Sequence, residues 1–366
     1  GMDYNHEDLA ANIWSNPGEI AGNGIDDDGN GYIDDIHGYD FADNDPDPMD
    51  TIVNYNYENP HQWIPGDFST GGHGTHCAGI IAATGNNGKG ITGVTWNTQI
   101  MVLKIFGDGE PFAFTSDIVS AILYAADNGA KISNNSYGST APNSEWANAG
   151  NKPLFDAISA ANDAGMLFVA AAGNNAADLN QNAFTSPAGL ELPNIISVAA
   201  SDENDELASF SNFGSSLVDI TAPGVDIYST FPGNTYRNMS GTSMAAPLVA
   251  GAAALIFEQN TSLTPAEIKA ILMNTSDQVE SLANASSSGG RLNAHNALSS
   301  LSAADGESCE SYTTTNDSHV SAGRAYKESA GQTCWGTFCW GGTTTYYATG
   351  SDESLGTSGY SNATLY

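Results

Sequence analysis

The chain has 366 residues, 40% of them hydrophobic, enough to bury one large core and a small appendage. Its 42 acidic and 9 basic residues give a formal charge of −33 at pH 7, a field that repels nucleic acid and anionic membranes and makes both poor partners. No apolar run reaches the roughly 18 residues that a membrane-spanning helix needs.

The first patterned stretch, residues 23–35 (NGIDDDGNGYIDD), is acidic. Counting from Asp26, side-chain oxygens fall at loop positions 1, 3, 5 and 9, supplied by Asp26, Asp28, Asn30 and Asp34. Gly31 takes the sharp-turn position 6 and Tyr32 offers its carbonyl at 7, the spacing of an EF-hand-like calcium loop. His37 stands at position 12 in place of glutamate, so Asp35 or a distant carboxylate must complete the shell. Carboxylates this close repel one another without a cation, which favours Ca2+ over a merely solvated turn.

Residues 72–79 (GHGTHCAG) surround His73 with glycines, leaving backbone free to approach a substrate. Histidine titrates where a general base near neutrality must, although a lone histidine is more often structural. Residues 99–106 read as a strand, 117–126 as a helix, 131–136 as a strand and 154–164 as a helix. A continuous apolar strand follows over 166–172, and Asn174 lies just past its end. A side-chain amide there suits a developing oxyanion as well as it suits an ordinary turn. Short strands are predicted over 194–200, 217–221 and 225–229.

Residues 241–247 (GTSMAAP) lead into an alanine-rich run ending near Ile256. Thr242 and Ser243 suit a helix cap and Pro247 a first turn, which sets the Ser243 hydroxyl at a helix N-terminus. That end of a helix favours an anion, so the segment is either a capped core helix or the seat of a nucleophile. A last helix is predicted over 265–273, with Thr264 as N-cap and Pro265 at N1. Apolar strands bounded by helices predict an α/β fold: a doubly wound, mostly parallel sheet with helices on both faces and its site at the strands' carboxyl ends.

Residues 302–308 read as a linker, and 309–366 as a small β-rich module. Trp335, Trp340, Tyr346 and Tyr347 suit the core of such a module better than a polymer-binding platform. Cys334 and Cys339 suit a short disulfide better than a zinc site, which points to an oxidising compartment, while Cys309 has no obvious partner.

The three segments around His73 (HGTHCAG), Asn174 (AAGN) and Ser243 (SGTSMAAP) together resemble the subtilisin-like serine proteases, the subtilases. KISNNSYG at 131–138, NIISVAA at 194–200, ASFSN at 208–212 and TAPGV at 221–225 match as well, so the resemblance covers 1–301 as the catalytic domain. It implies that His73 is general base and acid, Ser243 the nucleophile, Asn174 the side-chain oxyanion donor and Cys77 a buried free thiol. It further implies that Ser136, Tyr137 and Gly138 pair with an extended peptide. Ala171, Ala172 and Gly173 would line the pocket for the residue before the cut, and residues 107–114 and 51–71 would flank the cleft. Asp8 and the loop at 85–88, with Asn86 foremost, match a second calcium position of the family.

The opening GMDYNHEDL matches the family's aspartate motif from its glycine onward. The catalytic aspartate is therefore expected two residues before Gly1, on the first central strand, with a propeptide further upstream. Without it the 366-residue chain is expected to be very weak or inactive. The expected whole is a secreted, monomeric, calcium-stabilised serine endopeptidase acting on proteins or peptides. A non-catalytic polymer-binding protein on the same scaffold is the alternative, and an esterase or peptide ligase a third.

Overall fold

The computed structural model describes residues 1–51, 71–108, 110, 112–142, 151–181 and 183–304, with short strands beyond. Two compact units are present, Gly1–Leu301 and Ser302–Tyr366. In the second, Tyr312–Thr315 pairs with Asn362–Leu365 and Ala325–Glu328 with Thr345–Ala348, both antiparallel. Cys309, Cys334, Cys339, Trp335 and Trp340 lie outside the described residues.

The first unit begins with β1 (Gly38–Asp40), α1 (His73–Ala82), β2 (Val102–Lys104), α2 (Thr115–Asp127) and β3 (Ile132–Asn135). Then come β4 (Ser139–Pro142), α3 (Lys152–Asp163), β5 (Leu167–Ala171), β6 (Ala183–Ser186), β7 (Ile195–Ser201) and β8 (Ile220–Pro223). The hairpin β9 (Ile227–Phe231) and β10 (Thr235–Met239) precedes α4 (Thr242–Gln259), α5 (Pro265–Asn274), β11 (Asp277–Gln278), β12 (Gly290–Arg291) and α6 (Ala294–Ala304). The main sheet has the order β11–β12–β8–β7–β5–β3, parallel throughout except for β11.

The central strand β5 shows why helices cover both faces. All of its residues are buried, and alternate side chains point to opposite sides. Leu167, Val169 and Ala171 join one core with α4, α5 and α6, while Phe168 and Ala170 join another with α2 and α3. Phe168 is fully buried, so its truncation to alanine costs about 3–5 kcal/mol. Thr264 and Glu267 close a reciprocal capping box at the start of α5, where the sequence places a cap.

Among the described residues β2 and β3 do not pair, and β2 pairs with β1, in parallel. Between β2 and β3 runs a cavity of about 1760 Å³, walled by residues 101–106 and 131–136. Ile118 and Ile122 of α2 line it, as do Ala250, Ala254 and Phe257 of α4. Gly1, His73 and Ser243 also stand on its wall.

Candidate active site

Helix α4 starts at Thr242, so Pro247 sits inside it and not in the first turn as its sequence position suggests. A proline has no N–H to offer the carbonyl four residues back, which here belongs to Ser243. That carbonyl is satisfied from outside the helix: Ser136 Oγ donates to it at 2.8 Å and Cys77 Sγ at 3.4 Å. The Ser243 hydroxyl in turn donates to the Ser136 carbonyl at 3.1 Å. The nucleophile candidate is thus locked to the segment after β3 by reciprocal bonds. Burial pushes the Cys77 thiol up to about 12, so it is an inert packing group beside Ile80 and Met244.

Asn174 follows β5 across Gly173, whose φ is 103°. Its side-chain oxygen accepts from both the amide and the hydroxyl of Thr242, which leaves the nitrogen end free to donate. The Asn174 Nδ2 and the Ser243 N each lie 3.6 Å from the point where a β-carbon on Gly241 would stand. The Asn174 amide and the Ser243 N–H thus stand near each other at the start of α4, close enough for both to serve one oxyanion. Asn212, fully buried, fixes the turn: its Nδ2 donates to the Ala172 carbonyl at 2.8 Å and its Oδ1 accepts from the Asn175 and Ala177 amides.

His73 is the first residue of α1, after Gly72 in the left-handed region at φ 84°. Glycine has no capping side chain, and Asp50 supplies the cap from a distance. Its Oδ1 accepts from Gly72 N at 2.7 Å, and its Oδ2 accepts from Thr75 N and Thr75 Oγ1 at 3.1 and 2.6 Å. The His73 ring faces the open cavity, yet the protein crowding it lowers its pKa below 6.5 by desolvation, with Asp50 opposing the shift. Sequence reasoning missed Asp50 and the positioning role of Asn212.

Ser136, Tyr137 and Gly138 line the same cavity, joining β3 to β4, as do Ala171 and Gly173. Ala172 does not. The alternation of the strand turns its side chain away, and it is fully buried with Leu179, Ala199 and Val218. Most of the expected cleft border at 51–71 lies outside the described residues.

In the acidic loop, one oxygen from each of Glu19, Asp26 and Asp28 lies within 4.8 Å of the others, a spacing that fits a hard cation. Glu19 lies outside the stretch the sequence singles out. Asn30 is turned the other way from the predicted ligand: its oxygen accepts from Tyr32 N and its NH2 group donates to Asp28 and Asp35. Asp34 accepts from the Asn23 and Gly24 amides, and buried Asp35 from Tyr124, Asn16 and Asn30. The ring of Tyr32 packs edge-on against Tyr39, Phe41 and Tyr124.

At the second calcium position the loop is arranged differently from the expectation. Asp8 is met by three donors, Asn87 Nδ2 at 2.6 Å, Ile91 N at 3.0 Å and Tyr236 Oη at 2.8 Å. Asn87 occupies the place expected of Asn86, which instead takes a left-handed turn at φ 57°. The Asn87 oxygen accepts from Lys89 N at 2.9 Å, so the amide must present its nitrogen to Asp8.

The sequence model of the subtilase family, Peptidase_S8, matches residues 1–325. The chain belongs to the subtilase family. It is 38% identical over 298 residues to the thermophilic serine proteinase of Bacillus sp. (strain AK1), covering 81% of this chain and 59% of that one. Thermitase from Thermoactinomyces vulgaris is 36% identical over 300 residues, covering 81% and 85%. This subtilase therefore spans less than two thirds of the Bacillus proteinase and most of thermitase. Among solved structures, a protease of Pseudoalteromonas arctica PAMC 21717 superposes with a TM-score of 0.61 at 28% identity, covering 82% of this chain and 87% of that one. A cold adapted subtilisin-like serine proteinase gives 0.55 at 29% identity, covering 80% and 84%. The subtilase fold is the doubly wound, mostly parallel sheet expected from the alternation of strands and helices.

Proposed function

We propose that this subtilase is a secreted, monomeric serine endopeptidase that hydrolyses proteins or peptides through an acyl-enzyme. The observation that carries the reading is that His73, Asn174 and Ser243, far apart in the chain, stand on the wall of one cavity, with the Asn174 amide beside the Ser243 N–H. His73 takes the proton of Ser243 Oγ as that oxygen attacks the peptide carbonyl. The carbonyl oxygen becomes an anion between the two donors, and its charge is stabilised by groups already in place. His73 then protonates the leaving amine. Water, losing a proton to the same imidazole, hydrolyses the acyl group from Ser243.

The third triad member in this proposal is an aspartate two residues before Gly1, on a strand occupying the slot between β2 and β3. Support comes from the slot's strand edges and apolar helices, and from Gly1, whose carbonyl lies 2.0 Å from where a β-carbon on Gly74 would stand. That contact sets Gly1 against the first turn of α1. Ca2+ held by Glu19, Asp26 and Asp28 would neutralise their mutual repulsion and fix the acidic loop.

Casein hydrolysis by the protein carrying its upstream segment tests the reading. Ser243→Ala, and substitution of the upstream aspartate by asparagine, are each expected to remove nearly all turnover. Full hydrolysis by Ser243→Ala would overturn the mechanism.

A further inference from the structure

Cations are scarce on this chain, and most of those in the first unit are paired. Lys89, Lys104, Lys152, Lys269 and Arg291 each hold a carboxylate at 3.0 Å or closer. Arg237 and Lys131 hold none among the described residues, and of these two only Arg237 is seated against an aromatic ring. Its guanidinium carbon lies 4.0 Å from the ring centroid of Phe231, a buried residue.

That seat adjoins the catalytic helix. Phe231 packs so closely on Gly72 that a β-carbon there would stand 1.9 Å from the ring, and Gly72 immediately precedes His73. The Arg237 carbonyl also accepts from His76 Nε2 at 3.0 Å, tying β10 to α1. Arg237 is exposed and lines the cavity that holds His73 and Ser243.

We propose that Arg237 recognises a carboxylate on the substrate, the side chain of an aspartate or glutamate close to the scissile bond, and so biases cleavage toward acidic segments. The proposal rests on the serine-endopeptidase reading. With one face of the guanidinium stacked on Phe231, its edge N–H groups remain available, and their fork matches the two oxygens of a carboxylate. In a protein of charge −33 the overall field opposes acidic substrates, and a fixed guanidinium at the cleft reverses that locally. A role confined to covering Phe231 would use only the stacked face and would leave selectivity untouched.

The experiment compares matched peptides that differ by glutamate or glutamine beside the cleaved bond, using the protease with its upstream segment. Wild type is expected to favour the glutamate peptide by about five-fold in kcat/KM, the scale of one exposed charge pair. Arg237→Gln should abolish the ratio, Arg237→Lys should keep part of it, and rising salt should shrink it in wild type. An unchanged ratio in Arg237→Gln, or no preference in wild type, overturns the proposal. Should neither peptide be cut, absence of fluorophosphonate labelling at Ser243 overturns the proteolytic reading itself. Labelling together with casein cleavage that ignores acidic residues overturns only the role of Arg237.

Discussion

The side-chain oxygen of Asn174 accepts two hydrogen bonds from Thr242, one from its amide and one from its hydroxyl, each 2.9 Å long. An amide held by its oxygen keeps its nitrogen free to donate elsewhere. The Thr242 hydroxyl is itself fixed by the Gly173 amide at 3.2 Å, so the donor is oriented before substrate arrives. Thr242→Val keeps the shape and removes one of those holds; kcat is expected to fall about ten-fold with little change in KM. Asn174→Ala is expected to cost roughly 10²–10³ in kcat, a magnitude known from a subtilisin and carried over here. Steady-state kinetics on one peptide checks both.

Asp50 joins stability to catalysis. Its carboxylate caps the helix that starts at His73 and is the neighbour that opposes the lowering of the His73 pKa. Asp50→Ala should cost about 1–2 kcal/mol by denaturant unfolding. Removing its charge should also move the acidic limb of kcat/KM to lower pH. A limb that moves upward would contradict this placement of the charge.

Acid should weaken the fold through His76. Burial depresses its pKa from 6.5 to about 4, so unfolding takes up a proton between those values. Stability from this group is full above pH 6.5 and is lost as pH falls toward 4, a decline on the order of 3 kcal/mol. Unfolding free energies measured across that range should show the slope in wild type and a flatter one in His76→Gln.

Ser136 and Pro247 should be coupled although they never bond to each other. Ser136 Oγ serves the Ser243 carbonyl that Pro247 leaves without a helical donor. Ser136→Ala is expected to cost about 1–2 kcal/mol. In a Pro247→Ala background, where the helix can supply its own N–H, the same change should cost less. Thermal unfolding of the double-mutant cycle measures the difference.

Calcium should raise the melting temperature, and chelation should lower it. Asp26→Asn is expected to remove most of that response, since Asp26 shares the oxygen cluster with Glu19 and Asp28. Asp8→Asn should leave the calcium response in place, because Asp8 lies outside the cluster of Glu19, Asp26 and Asp28.

The site was legible where its chemistry is written in short segments. His73, Asn174 and Ser243 each sit in a run of small residues whose geometry is local, and the alternation of apolar strands with helices foretold the sheet. What stayed hidden depends on contacts between distant residues. Asp50 caps a helix 22 residues downstream, across a stretch with no periodicity to connect them. Glu19 lies before the acidic loop and joins it only through folding. The orientation of Asn30 follows from the carboxylates around its NH2 group, which spacing along the chain does not encode. Ala172 was misplaced for a different reason: the two-residue period of an extended chain already turns it away from Ala171.

The central claim is that Ser243 is a nucleophile activated by His73, and covalent labelling tests it most directly. The protein with its upstream segment would be treated with a fluorophosphonate and the adduct mapped by mass spectrometry. The account predicts one modified residue, Ser243, with labelling strongly slowed in His73→Ala and absent in Ser243→Ala. An unlabelled Ser243 in protein that cleaves casein, or equal labelling of the His73→Ala variant, would contradict it.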